Sequence, residues 1–549
     1  QLFLLAAWRH LGIRPSAQMR HFPVSTLATA GILLLGLSVG QLADAEDISS
    51  QLRECLQQPL LELGTTAEDV PSEVEFPTSG CPKDGHTPPK WCLHNMRVAW
   101  LMQPSAVVFA HNVGQVTHAA RCASRLGLAI SGQSGRHSYV QYCRSNCILV
   151  NVMWMKGHIV DRSTRIAVLE AGLTLGQAST HLDDQGLAIP MGTCSTVGLA
   201  GLVLGGGEGP PNRLHGLSID KLIAVDAVLH NGTLVRANAT HHSDLLWLAK
   251  GGGGNTFPGI ATSFTFQAVE APTVVTEYSA AWRTTCTQTG VCQKAVNIFK
   301  VWQEHFLMHP DRRAYVQISI QPMTPDSHIA FSFIFLALTQ QEATKYLSPA
   351  WELLGHPFKS SWHSSSYIEA VQRHAGIGKP CNARESMLKS EPPFCAWGSG
   401  FSTSLKHRAL VMRRLHDTGI EALVTNAFKA RQIRSSKGTP LSLQLQLSPT
   451  NGAVADVHSA ATAFPWRGED EMTMQVITLW DGGVADSESE HFSSVFIGAM
   501  QAVAGTRSYR SGHCMQMHGF HQGICGISAP LATDTQILYS WDRKCASVG

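Results

Sequence analysis

Three glycine clusters carry the residues whose types and spacing suit chemistry. In Ser134-Gly135-Arg136-His137-Ser138-Tyr139 an imidazole sits at the centre of a turn with unhindered backbone N–H groups. In Gly192 to Gly201 a thiol, Cys194, is followed by Ser195, Thr196, Val197 and Gly198, and the run continues into Gly205-Gly206-Gly207-Glu208-Gly209. Lys250 followed by Gly251 to Gly254 makes the third. Chain so poor in side chains lets backbone approach a ligand closely and nest an anion such as a pyrophosphate. None of the clusters has a Walker lysine followed by Ser or Thr, and none forms a clean strand-GxGxxG-helix unit, which disfavours ATP and a Rossmann-bound nicotinamide.

These turns need elements to hold them. From about 98 to 270 the chain carries short β-rich runs (Ala106 to Ala110, Ile148 to Val152, Ile166 to Leu169), with helical patterns between them at Val113 to Leu126 and Leu175 to Gln185. The texture changes near 272. From about 273 to 480 the strands are longer and more aromatic (Tyr315 to Gln321, Ile329 to Leu338, Leu441 to Leu447), interleaved with helix-like stretches at 291–308 and 404–430. Such alternation argues for an α+β or α/β unit that binds a ligand against its glycine turns, followed by a second, sheet-backed unit. The segment 376–400 reads as a loop.

Composition narrows the classes. The 549 residues hold 42 Lys+Arg against 40 Asp+Glu, a net charge of +2, which excludes an overall basic nucleic-acid binder. With 44% hydrophobic and 15% charged residues the chain is globular rather than disordered. Residues 1–18 contain no Met and read as non-native upstream sequence; Met19 to Ala45, with an apolar run from Leu27 to Val39 and a small-x-small site at Ala43-Asp44-Ala45, reads as a signal peptide. That run is shorter than the roughly 20 residues of a membrane helix, so a secreted glycoprotein without a membrane span is expected. The sequons at Asn231 and Asn238 agree.

The order of the motifs says more than any one of them. Pro104 to Val108, Ser134 to Tyr139, Gly192 to Gly209, Gly216 to Asp220, Asp244 to Trp247 and Gly251 to Gly254 together closely resemble the flavin domain of the berberine bridge enzyme-like oxidases, of the vanillyl-alcohol-oxidase class of FAD proteins. Ala463-Phe464-Pro465-Trp466-Arg467 resembles that family's AFPHR segment. The resemblance implies an α+β fold: a two-subdomain PCMH-type FAD-binding domain over 46–272, then a substrate domain over 273–500 with an antiparallel sheet backed by helices. Residues 501–549 depart from the family's C-terminal pattern. The resemblance also implies FAD attached twice, through its 8α-methyl carbon to His137 and through C6 to the sulfur of Cys194. The implied cofactor bed adds Ser134, Gly135, Arg136, Ser138, Thr196, Val197, Gly198, Gly201, Gly205, Gly206, Gly207, Asp220, Gly252, Gly253 and Ile260. Arg136 stands where the family's SGGHS turn has its second glycine, and either crowds the pyrophosphate or pairs with it.

The reaction so implied removes hydride from an alcohol or hemiacetal carbon while a base takes the hydroxyl proton. Candidates at the matched positions are Tyr139, Glu208, Gln446 and Tyr509. Glu208, where plant members carry tyrosine, is either the base or a solvated loop acid; Gln446 can orient a substrate but cannot be the base. Val197 occupies the position that gates dioxygen in relatives, where a small side chain goes with oxidases, so O2 is the expected acceptor and hydrogen peroxide the product. The expected substrate is a small-molecule alcohol, carbohydrate first. The alternatives are a dehydrogenase of aromatic alcohols such as monolignols and a secreted flavin-binding protein without turnover. Trp282, Trp362, Trp397 and Trp466 are sugar platforms or core. The His, Cys and Met residues at 513–525 match no standard ligand spacing, so no metal is expected.

The 14 cysteines point to an oxidising compartment. With Cys194 given to flavin an odd number remains, which predicts a free thiol or an intermolecular bridge. The resemblance pairs Cys55 with Cys122. Proximity alone suggests Cys81 with Cys92, Cys143 with Cys147, Cys286 with Cys292, Cys381 with Cys395 and Cys514 with Cys525, leaving Cys545.

Overall fold

The computed structural model describes residues 48–81, 89–92, 102–138, 143, 145–254, 256–284, 292–321, 328–374, 387–388, 404–430, 442–480, 514–517 and 520–525. The expected signal peptide, Tyr139, Tyr509, Trp397 and nearly all of 376–400 lie outside these residues.

Strands β1 (Glu73–Glu75), β2 (Ala106–Phe109), β3 (Ala129–Gln133) and β4 (Cys147–Asn151) form a sheet in the order β1-β2-β4-β3. β4 runs parallel to both β2 and β3. Parallel strands of one sheet need a crossover, and from β2 to β3, which flank β4, it is α1 (Val113–Arg125). This helix starts where the Asn112 side chain accepts from the Gln115 N–H, an N-cap, and it buries Val116, Ala119, Ala120 and Ala123 along one stripe. There follow β5 (His158–Asp161), β6 (Ile166–Glu170), α2 (Leu175–Asp183), β7 (Leu187–Ala188), α3 (Leu199–Leu204), β8 (Leu222–Leu229), β9 (Leu234–Asn238), β10 (Gly259–Gln267) and β11 (Val269–Glu270). Five of these strands make an antiparallel sheet ordered β5-β6-β10-β8-β9, and β7 pairs with β11.

The rest of the chain builds a larger sheet. Its strands are β12 (Val275–Arg283), β13 (Ala314–Gln321), β14 (His328–Leu336), β15 (Lys359–Ser365), β16 (Ser404–Arg413), β17 (Ser442–Pro449) and β18 (Glu471–Trp480). They lie in the order β15-β12-β14-β13-β17-β18-β16 with every neighbour antiparallel. Because side chains alternate across a strand, Phe331, Phe333 and Phe335 share one face with Val316, Ile318, Leu445, Met474 and Val476. There α4 (Gln293–Val301), α5 (Gln340–Leu354) and α7 (Asp417–Ala430) cover them, while α6 (Tyr367–His374) packs beside Val275 and Ile334. The α+β architecture expected from the motifs is thus present, with an antiparallel sheet backed by helices.

One expectation is corrected, and one open alternative is settled. The stretch 404–430 is helical only from Asp417; Ser404–Arg413 is β16, held by ten residue pairs to β18, and that pairing outweighs local helix tendency. Three of the four tryptophans are packing groups. Trp282 is buried against Phe331 and Trp351, Trp362 lies on Tyr278 at 4.2 Å, and Trp466 meets Phe464 edge-on.

Disulfides join Cys55 to Cys122, Cys81 to Cys92 and Cys143 to Cys147, as expected. Cys292 is also disulfide-bonded, its partner outside the described residues. A final hairpin, β19 (Cys514–Met517) with β20 (Phe520–Cys525), sets Cys514 opposite Cys525 in register. Among the described residues no helix is long and apolar enough to cross a membrane.

Candidate active site

The end of β3, the start of β10 and the N-terminal turn of α3 converge on a cleft. It gathers Ser134, Gly135, Arg136, His137, Ser138, Gly198, Gly201 and Ile260 from the expected cofactor bed. Met102, Gln133, Ala200, Leu204, Gly254 and Phe257 also line it and were missed. Ala200 and Gly254 lie inside matched glycine clusters, so reading whole turns would have found them; Met102 and Phe257 carry no sequence signal.

Two of the glycine turns interlock. A Cβ at Gly135 would lie 2.1 Å from the Gly198 nitrogen, and one at Gly198 would lie 2.3 Å from the Gly135 nitrogen. Backbone meets backbone, so no rotamer relieves the clash. Gly198→Ala is therefore expected to cost about 1–3 kcal/mol of overpacking strain and to lower the flavin-to-protein absorbance ratio. Gly186→Ala, at φ +64° with nothing near its Cβ, should leave that ratio unchanged.

His137 Nε2 lies 2.9 Å from Thr196 Oγ1, and Cys194 Sγ lies 3.7 Å from the same oxygen. Imidazole and sulfur are thus no further apart than those two distances together, with Thr196 between them. Cys194 is itself disulfide-bonded here, with a partner outside the described residues. Its sulfur reaches a flavin only in a form of the protein that lacks this bond. Val197 is buried, its carbonyl accepting from the Leu175 N–H.

Gly205 to Gly207, Asp220, Gly252 and Gly253 stand outside the cleft lining. Gly207, at φ +78°, leaves no room for a Cβ, which would lie 2.1 Å from Ser218 Oγ; one on Gly206 would lie 3.0 Å from the Phe464 ring. Asp220 accepts two hydrogen bonds from Arg467, at 3.1 and 2.8 Å. The Arg467 side chain is 0% exposed and donates further to the Val454 and Phe464 carbonyls and to Thr462 Oγ1. The 463–467 segment therefore locks the sheet unit onto the glycine turns.

Glu208 is 3% exposed, which corrects the solvated-acid alternative. Thr450 Oγ1 donates to its Oε1 at 3.4 Å and Thr473 Oγ1 to its Oε2 at 3.1 Å. Thr473 pairs with Ser448, and the neighbouring pair on that face is Gln446 with Gln475. Glu208 and Gln446, far apart in sequence, thus meet one face of the large sheet. That face adds Ser319 opposite Gln446, and Gln317, whose Nε2 donates to Ser448 Oγ at 3.0 Å. Burial beside the Glu208 charge pushes the Tyr315 hydroxyl far above the usual tyrosine range. Arg213 closes the seam, donating to Asn451 Oδ1 and to the Ala314 and His309 carbonyls.

Residues 104–238 match the family of the FAD binding domain. This stretch is an FAD binding domain, and homologues of the chain include berberine bridge enzyme-like proteins and carbohydrate oxidases. Berberine bridge enzyme-like 4 of Arabidopsis thaliana is 27% identical over 68% of this chain and 68% of its own length. Glucooligosaccharide oxidase of Sarocladium strictum is 34% identical over 34% of this chain and 37% of its own. The structure of glucooligosaccharide oxidase from Acremonium strictum, which carries a 6-S-cysteinyl, 8α-N1-histidyl FAD, superposes with a TM-score of 0.67 at 22% identity, covering 86% of this chain and 90% of that one. In sequence the chain spans about half the length of the curated relatives it matches, from 37% to 68% in the first four.

The residues present fit a flavin dinucleotide. The cleft is edged by side-chain-free turns, its lining includes the basic groups Arg136 and His137, and no acidic residue lines it among those described. A dianionic diphosphate suits that charge balance.

Proposed function

We propose that the chain is a secreted FAD-dependent oxidase acting on an alcohol or hemiacetal carbon of a neutral carbohydrate, with dioxygen as acceptor. The observation that carries this reading is the pair of interlocked glycine turns with His137 and Cys194 both set beside Thr196. FAD, when bound, would supply the two-electron chemistry between the alcohol carbon and dioxygen, with hydrogen peroxide as the second product. His137 would hold it at the 8α carbon and Cys194, as a free thiolate, at C6. Glu208 takes the hydroxyl proton. Gln446, with Gln475 and Ser319 around it, orients the substrate through uncharged donors and acceptors, which suit a neutral polyol better than an anion. Tyr139 and Tyr509 complete the proposed set, and Val197 leaves room for dioxygen. We assign residues 46–272 to the cofactor and 273–500 to the substrate. The signal-like segment 19–45 and three buried disulfides support the secretory route.

The attachment is tested by denaturing the protein and weighing its flavin peptides. Yellow colour retained in the pellet, with flavin mass on the fragments holding His137 and Cys194, is the expected result. Free FAD in the supernatant overturns both bonds, and mass on the His137 fragment alone overturns the sulfur bond.

A further inference from the structure

We infer that Arg136 is the cation that recognises the diphosphate of the dinucleotide, doing with a side chain what bare backbone N–H groups would otherwise do alone. This rests on the cofactor reading above and goes beyond it in naming the recognition element. Arg136 lines the cleft and its backbone sits at φ +61°, in the left-handed region where a Cβ is unfavourable. Residues held in that region persist where the surrounding structure over-determines them, and they cluster at ligand clamps and active sites.

The side chain is placed for such work. Its Nη1 donates to the Lys90 carbonyl at 2.6 Å. That carbonyl belongs to a fixed strap: Cys92 is tied to Cys81, the Trp91 carbonyl accepts from Gln133 Nε2 at 2.9 Å, and Trp91 Nε1 donates to Glu75 at 2.9 Å. The guanidinium is thus braced at one corner. Among the described residues no carboxylate pairs with it, and its remaining N–H groups have no partner. Burial also pushes its pKa below the ordinary arginine value, with no counter-ion beside it among the described residues. A braced, unpaired guanidinium with donors to spare is a ready anion site, and the diphosphate carries the only formal charges on FAD at neutral pH.

The test uses a His137→Ala/Cys194→Ala background, in which flavin binds reversibly, titrated with FAD and with riboflavin, which lacks phosphate. Arg136→Gly, whose backbone suits a positive φ, and Arg136→Gln should each weaken FAD binding about tenfold or more and leave riboflavin binding unchanged. FAD affinity should also fall with added salt in the parent and less so in the variants. FAD affinity within twofold of the parent in both variants, or an equal loss for FAD and riboflavin, overturns the assignment of Arg136. A parent that binds neither flavin overturns the cofactor reading itself.

Discussion

Glu208→Gln is expected to slow substrate turnover about 10²- to 10⁴-fold, the usual range for loss of a general base, with flavin content and fold unchanged. Glutamine has the shape of glutamate, and the Thr450 and Thr473 hydroxyls that donate to the carboxylate can turn to meet an amide. Packing is therefore preserved while proton acceptance is lost. The carboxylate is buried, so bulk water is a poor substitute, and it abuts the sheet face that presents Gln446. Rapid mixing with cellobiose under anaerobic conditions, following the flavin absorbance, isolates the step. A slowing of less than about tenfold would remove Glu208 from the role and leave Tyr139 and Tyr509. Gln446→Leu, by contrast, should act mainly on KM, since an orienting amide serves ground state and transition state alike.

Arg467→Ala should destabilise the protein by about 3–5 kcal/mol, the cost of leaving a buried partner charge uncompensated. Both groups are deeply buried, with side chains 0% and 7% exposed. The lost side chain also strands the Phe464 and Val454 carbonyls and Thr462 Oγ1. Urea unfolding measures the change. Adding Asp220→Ala should recover part of the loss, because the orphaned carboxylate is then gone. A single-variant loss under about 1 kcal/mol would mean that the pair is solvated in solution and that the 463–467 segment is held by Phe464 alone.

Much of this was legible in residue order. Strands at Ala106, Ile148, Ile166, Tyr315 and Ile329 could be read from short runs rich in β-branched and aromatic residues, and α1 because its apolar stripe repeats at helical spacing. Ser404–Arg413 was not, since its partner β18 lies some 60 residues downstream and long-range pairing leaves no local mark. In the site, the turns at 134–138 and 198–201 were found through their glycines. Gly206 and Gly207 are equally suited to a ligand by type, yet their small size serves contact with Phe464 and Ser218. Glycine alone does not tell close approach to a cofactor from close approach to the protein's own chain. The burial of Glu208 was equally invisible, because Thr450 and Thr473 come from a distant part of the sequence.

The docking of Phe464 bears on how the molecule is made. Phe464, Val454 and Val411 belong to the same buried cluster as Leu52, Leu204 and Phe264. During vectorial synthesis the ribosome delivers Gly254 and then needs about 200 further residues to deliver Phe464, about 10–40 s at about 5–20 residues per second. For that interval the emerging amino-terminal half displays an open apolar seam behind its glycine turns. Closure of that seam is thus a late event in the life of each chain, coming about 200 residues after the last turn it covers.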